Sequence, residues 1–174
     1  LAKHVKEKHP DSVVVFIGPC IAKKAEVKKE NVRKYVDYAI TFEELQALFD
    51  SRDIILRKQK WTDWNEASYY GRMFARSGGV AGAVEQMLKE LKMEDFEFNP
   101  IVCDGIDKCR TALLKASKGV LPNNFIEGMA CVGGCIGGHG NPARHEDTPD
   151  EMKDHVKEAS TEMLPNIHKH INIY

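Results

Sequence analysis

Apolar positions along this chain come in short unbroken runs, separated by longer stretches that carry them at helical spacing. Val13, Val14, Val15, Phe16 and Ile17 form the clearest run. It is β-branched and has no polar break, which suits a parallel strand covered on both faces. Residues 36–40 give a second strand, Ile101, Val102 and Cys103 a third behind Asn99-Pro100, and residues 125–130 a fourth. Between these lie helical segments. Residues 1–10 are charged and helix-like, with Pro10 as a stop, and residues 22–34 read as a charged helix or helical turn. Thr41 and Glu44 have capping-box form ahead of a helix reaching about residue 50. Residues 51–67 read as irregular, with Trp61 and Trp64 as anchors.

Ser77-Gly78-Gly79 opens a helix to about residue 92, with Val80, Val84, Met87 and Leu91 on one face. Another helix follows Gly105, with Ile106, Cys109, Leu113 and Ala116 on one face. Thr148, Pro149, Asp150 and Glu151 start a last helix, running to about residue 163 before Pro165. Strands alternating with helices predict an α/β fold: a mainly parallel four-stranded sheet flanked by helices, in a single domain over residues 1–174. No repeat or linker interrupts it.

Composition narrows the classes. At 174 residues, 43% hydrophobic and 29% charged, the chain has ordinary globular values. A net charge of −1 argues against nucleic-acid or acidic-membrane partners. No apolar run approaches the ~18–20 residues that cross a bilayer. The first residues do not read as a signal peptide, and Leu1 in place of a start methionine suggests an excised segment of a longer protein. Five cysteines is an odd number without the spacing of a disulfide scaffold, so reduced thiols in a cytoplasmic protein are expected.

Two segments carry candidate chemistry: residues 18–26, with Cys20, Lys23, Lys24 and Glu26, and residues 127–142, with Cys131, Gly133, Gly134 and Cys135. Each places cysteine just beyond the C-terminal end of a predicted strand, the edge where ligands gather in open α/β sheets. Thiolates are the standard ligands of iron–sulfur clusters. Gly133 and Gly134 let the backbone turn tightly, approach a bulky inorganic core and offer amides to it, while Lys23 and Lys24 would offset its negative charge. Other readings stay open. A lone cysteine at a strand end is commonly a small buried apolar side chain, and Cys-x-x-x-Cys also suits a redox pair or a zinc site, although the usual second zinc pair is lacking.

Pro19-Cys20-x-x-Lys23-Lys24-x-Glu26 resembles the second signature of the iron-only hydrogenases, and residues 129–142, from Met129-Ala130-Cys131 through Gly133-Gly134-Cys135 to Pro142, resemble their third. Ser77-Gly78-Gly79-Val80, Gly105 and Glu127 are similar to residues of the same catalytic domain, so the chain would be one lobe of it. The resemblance implies an H-cluster: a 4Fe-4S cubane held by four cysteines, one of them bridging to a binuclear iron site carrying CO, cyanide and a dithiolate. It makes Cys20, Cys131 and Cys135 three of the four ligands, with Cys135 the bridging one. Lys23 would hydrogen-bond a cyanide, Met129 would pack beside the binuclear iron, and Glu26 would lie near the lysine.

The implied reaction interconverts protons, electrons and dihydrogen, with a ferredoxin-type domain or protein as electron partner. The fourth cysteine belongs to a first signature, expected upstream of Leu1, so this segment alone is expected to be inactive and to hold no cluster. Gly18 stands where the family usually has methionine, Val132 replaces a usual proline, and Gly137, His139 and Asn141 also depart. Such changes resemble a sensory branch joined to PAS or signalling modules. A non-catalytic iron–sulfur carrier or assembly protein of the hydrogenase-like kind is the alternative. Cys103 and Cys109 match no ligand and read as packed thiols, His139 as a solvated loop residue, and His168 and His170 as surface residues.

Overall fold

The computed structural model describes residues 1–60, 67–93 and 95–143, together with 156 and 159. They divide into two compact units: residues 1–60 with 137–143, and residues 67–136 with 156 and 159. Trp61, Trp64, His168, His170 and the helix expected from Thr148 lie outside the described residues, except that Val156 is helical and buried.

The first unit runs α1 (Ala2–Lys8), β1 (Val15–Gly18), α2 (Lys23–Glu26), α3 (Glu30–Arg33), β2 (Tyr38–Thr41) and α4 (Phe42–Asp50). β1 and β2 pair in parallel, Val15 beside Tyr38 and Gly18 beside Thr41. α4 begins where its sequence says it should. Thr41 Oγ1 accepts from the Glu44 amide at 3.2 Å, and Glu44 Oε2 accepts from the Thr41 amide at 2.8 Å. The strands are fastened to α1 through Asp37, which accepts from the Val14 amide at 2.7 Å and pairs with Lys6 at 2.9 Å. Both contacts hold the Asp37 carboxyl below the usual carboxylate range, Lys6 most of all.

The second unit runs α5 (Tyr69–Met73), α6 (Gly79–Glu90), β3 (Pro100–Asp104), α7 (Ile106–Ser117) and β4 (Phe125–Met129). β3 and β4 are parallel, joined through α7. The buried apolar side chains of this unit among the described residues are Ala81, Ala83, Cys103, Ala112 and Val156, and all but Val156 are small. Small side chains let helix and strand backbones approach closely, and Gly79 carries this furthest. A Cβ there would lie 1.9 Å from the Met73 carbonyl oxygen.

The α/β class, the four strands and their parallel sense agree with the sequence pattern, but three details are corrected. The strands form two two-stranded sheets rather than one four-stranded sheet. β1 is not covered on both faces: Val15, Phe16 and Ile17 are each more than a third exposed, because a two-stranded ribbon with short helices has too little surface to cover both sides. α7 packs through Cys109 and Ala112, whereas Ile106 and Leu113 are exposed. The segment at 22–34 forms two short helices, with Lys29 extended at the start of α3. No helix among the described residues is long and apolar enough to cross a membrane.

Candidate metal centre

In the first unit the candidate residues sit at the C-terminal edge of the β1–β2 sheet. β1 ends at buried Gly18, and Pro19 and half-exposed Cys20 follow. Gly18 leaves no room for a larger residue without moving the Phe16 ring, since a Cβ would meet that ring at 2.9 Å. Lys23 reaches Glu26 at 2.6 Å and lies 5.9 Å from the centre of the Phe16 ring. Lys24 is instead tied to Glu44 of the capping box, and that ion pair, together with the Thr41 amide, holds the Glu44 carboxyl below its usual range. The two lysines are therefore not equivalent: one is built into the α2–α4 junction, the other into the segment that follows Cys20.

The loop after Cys135 folds onto this same edge. The Gly140 amide donates to the Pro19 carbonyl at 3.0 Å, and the Glu43 amide donates to the Gly140 carbonyl at 3.3 Å. Only glycine fits, because a Cβ at 140 would lie 2.6 Å from the Thr41 side chain. Residue 140 is thus clamped between the strand end that precedes Cys20 and the start of α4. His139 beside it is exposed, as a solvated loop residue would be.

In the second unit β4 ends at Met129, and Cys131 begins a tight turn in which the Gly134 amide donates to the Cys131 carbonyl at 3.0 Å. Gly133 and Gly134 have φ of 83° and 91°, the left-handed region that glycine enters without steric cost. The turn is pressed onto the chain before α6: the Ile136 amide donates to the Ala75 carbonyl at 3.1 Å, and the Ser77 amide to the Gly133 carbonyl at 3.3 Å. Cys135 follows as the start of a single 3-10 turn. One sequence expectation changes here. The Gly133 amide donates to Asp104 and the Gly134 amide to Cys131, so both are engaged within the protein instead of being directed at a ligand. What the glycines contribute is the turn itself.

Glu127 on β4 is buried and holds the start of α6, accepting from the Gly78 amide at 2.8 Å and from the Ala81 amide at 2.7 Å. A carboxylate at a helix N-terminus satisfies amides that the helix leaves unpaired and is favoured by its dipole. Glu127→Ala leaves the buried Ala81 amide and the half-buried Gly78 amide without this acceptor. It is expected to cost about 3 kcal/mol of stability, with Glu127→Gln losing about half as much, as read by denaturant unfolding. Met129, half-buried, gives its carbonyl to the Gly105 amide at 2.8 Å.

All five cysteines are thiols rather than disulfides. Cys103 is buried, and burial, then the neighbouring Cys109, pushes its thiol pKa up, away from the thiolate that a metal needs. Cys109 donates to the Cys103 carbonyl at 3.5 Å and the Met129 carbonyl at 3.6 Å. Both are packed thiols. Of the expected ligands, Cys131 and Cys135 share one loop of the second unit, and Cys20 belongs to the first. Within either unit no three His, Cys, Asp or Glu side chains among the described residues form a group that could hold a metal ion. The donor set is nonetheless suited to iron and sulfide: half-exposed thiols at strand ends, next to a glycine turn and a lysine. Asp104 was not anticipated from the sequence. The signal lay in an acidic residue closing a strand just before Gly105.

The family model described as "Iron only hydrogenase large subunit, C-terminal domain" matches residues 1–139. Iron hydrogenase 1 of Clostridium pasteurianum is 27% identical over 191 aligned positions, which cover 91% of this chain and 33% of that protein. The NADP-reducing hydrogenase subunit HndD of Solidesulfovibrio fructosivorans is 30% identical over 168 positions, covering 78% of this chain and 28% of that subunit. In structure, an apo variant of the FeFe-hydrogenase HydA1 from Chlamydomonas reinhardtii superposes with a TM-score of 0.63 at 19% identity, covering 99% of this chain and 62% of the other. The chain therefore spans about a third of the length of the curated relatives it matches.

Proposed function

Because this chain belongs to the iron-only hydrogenase large-subunit family, we propose that it is a single functional piece of a hydrogenase that turns over or senses dihydrogen at an H-cluster. In this reading Cys20, Cys131 and Cys135 hold the 4Fe-4S cubane as thiolates, with Cys135 also joined to the binuclear iron, and a fourth thiolate comes from outside the 174 residues. The cofactor, when bound, supplies the redox and hydrogen chemistry. The protein supplies position and charge. Gly133 and Gly134 turn the loop so that Cys131 and Cys135 emerge close together, Lys23 offsets negative charge beside Cys20, and Met129 packs next to the binuclear iron. The observation that carries the reading is that both cysteine-bearing segments leave the C-terminal ends of strands, Cys20 after β1 and Cys131 with Cys135 after β4, in a chain whose residues 1–139 match the family model.

An electron partner of ferredoxin type follows from this chemistry, and a PAS or signalling module would accompany a sensing role. Five thiols fit a reducing cytoplasm. A second reading, a non-catalytic iron–sulfur carrier or assembly protein, draws on Gly18, which stands where the family usually has methionine and where the Phe16 ring would have to move to admit one. Anaerobic loading of the full-length protein with its maturation machinery separates the two. Infrared bands of metal-bound CO and cyanide establish the hydrogenase reading, and about four irons per chain without those bands establish the carrier. No iron at all rejects both. The isolated 174 residues, with three thiolates for a four-cornered cluster, are expected to retain little iron after desalting.

A further inference from the structure

Asp104 closes β3 at the C-terminal edge of the second sheet, and one of its oxygens does two things. Oδ1 accepts from the Ser77 hydroxyl at 2.7 Å and from the Gly133 amide at 2.7 Å. The Ser77 amide in turn donates to the Gly133 carbonyl at 3.3 Å, so the Gly133 residue is gripped at both its N–H and its C=O. Gly133 lies between Cys131 and Cys135 in a left-handed conformation. No neighbour stands within 4 Å of where its side chain would be, so packing does not hold it. Hydrogen bonds do, and the charged acceptor among them is Asp104.

Resting on the reading that Cys131 and Cys135 supply thiolates, we propose that Asp104 is a positioning residue for both: by fixing Gly133 against Ser77 it sets the directions in which the two thiols leave the turn. A carboxylate is suited to this because charge-assisted hydrogen bonds are shorter and stronger than neutral ones. Its aim is set by β3, whose register against β4 places Asp104 beside Met129, two residues before Cys131. The clasp thus ties the cysteine loop to the same pair of strands that delivers it.

The test uses the full-length protein, loaded anaerobically with iron and sulfide, as wild type, Asp104→Ala, Asp104→Asn and Ser77→Ala. Three quantities are read: the rate of iron loss to a ferrous chelator, the paramagnetic resonance spectrum of the reduced cluster, and hydrogen exchange at the Gly133 amide. Asp104→Ala is expected to lose iron and to exchange that amide about tenfold faster, with an altered spectrum per iron, as loss of a charge-assisted acceptor predicts. Asp104→Asn keeps an oxygen in place and is expected to stay within about threefold of wild type. A purely structural role lowers the melting temperature and leaves the spectrum per iron unchanged. That result, or wild-type iron loss in Asp104→Ala, overturns the proposal. Should Asp104→Ala fail to fold, Ser77→Ala decides, with about threefold faster iron loss expected from removal of one neutral donor and a wild-type rate overturning it. A wild type that takes up no iron rejects the hydrogenase reading itself, and this inference with it.

Discussion

Cys135→Ala in the full-length protein, matured anaerobically, is expected to abolish the infrared bands of metal-bound CO and cyanide, while Cys109→Ala leaves them at wild-type intensity. Both substitutions remove one sulfur, and the two residues are half-buried thiols in the same unit. Their surroundings differ. Cys109 spends its thiol proton on the carbonyls of Cys103 and Met129, inside the contact between α7 and its sheet. Replacing it with alanine removes weak hydrogen bonds and a little volume, a cost of about 1 kcal/mol to the fold and none to the cluster. Cys135 stands at the exit of the glycine turn, where the proposed bridge to the binuclear iron has no substitute ligand. Equal loss of bands in the two variants, or their survival in Cys135→Ala, removes the basis for the ligand assignment.

Gly134→Ala is expected to be the most damaging single-methyl change in the cysteine loop, destabilising the second unit by about 4 kcal/mol in denaturant unfolding. Two costs add. With φ at 91° the position is left-handed, which charges any side chain roughly 1–2 kcal/mol. The new Cβ would also lie 2.6 Å from the Ala75 oxygen and from the Ser77 nitrogen, and 2.8 Å from the Arg76 carbonyl carbon. All three are backbone atoms, so no rotamer change relieves the contact, and the Ile136–Ala75 and Ser77–Gly133 hydrogen bonds have to open. Gly133→Ala provides the control. Its φ of 83° is similar, but nothing stands within 4 Å of the added carbon, so about 1–2 kcal/mol is expected. Equal losses at the two positions would show that the loop does not lie against residues 75–77.

Elements fixed by neighbouring residues were legible in the sequence. The Thr41–Glu44 capping box, the helix behind Gly78-Gly79 and the strand before Asp104 all follow from local chemistry. So did the edge on which the cysteines emerge, since a parallel strand followed by cysteine leaves few places for the thiol. Strand pairing was not legible, because any two β-branched runs pair equally well on paper. β1 reads as a fully covered strand from its five apolar residues, yet coverage depends on what packs against it. On α7 the larger apolar residues suggested the packed face, whereas the structure selects Ala112, because close approach to the strands rewards a small side chain. Asp104 escaped notice because its partners, Ser77 and Gly133, are remote in sequence and neither advertises a need for an acceptor.

The first unit is discontinuous: residues 1–60 are completed by residues 137–143, with residues 67–136 of the second unit between them in the chain. During synthesis, residues 1–60 are made before the strap that closes over Pro19 and Thr41. Joining Gly140 to Pro19 through an unstructured intervening chain of about a hundred residues carries a closure cost of about 4 kcal/mol, which shrinks once the intervening residues have collapsed into a body of their own. The first unit is therefore completed only after residues 67–136 have been translated. The strap that settles over Pro19, next to Cys20, arrives only after Cys131 and Cys135 have been made.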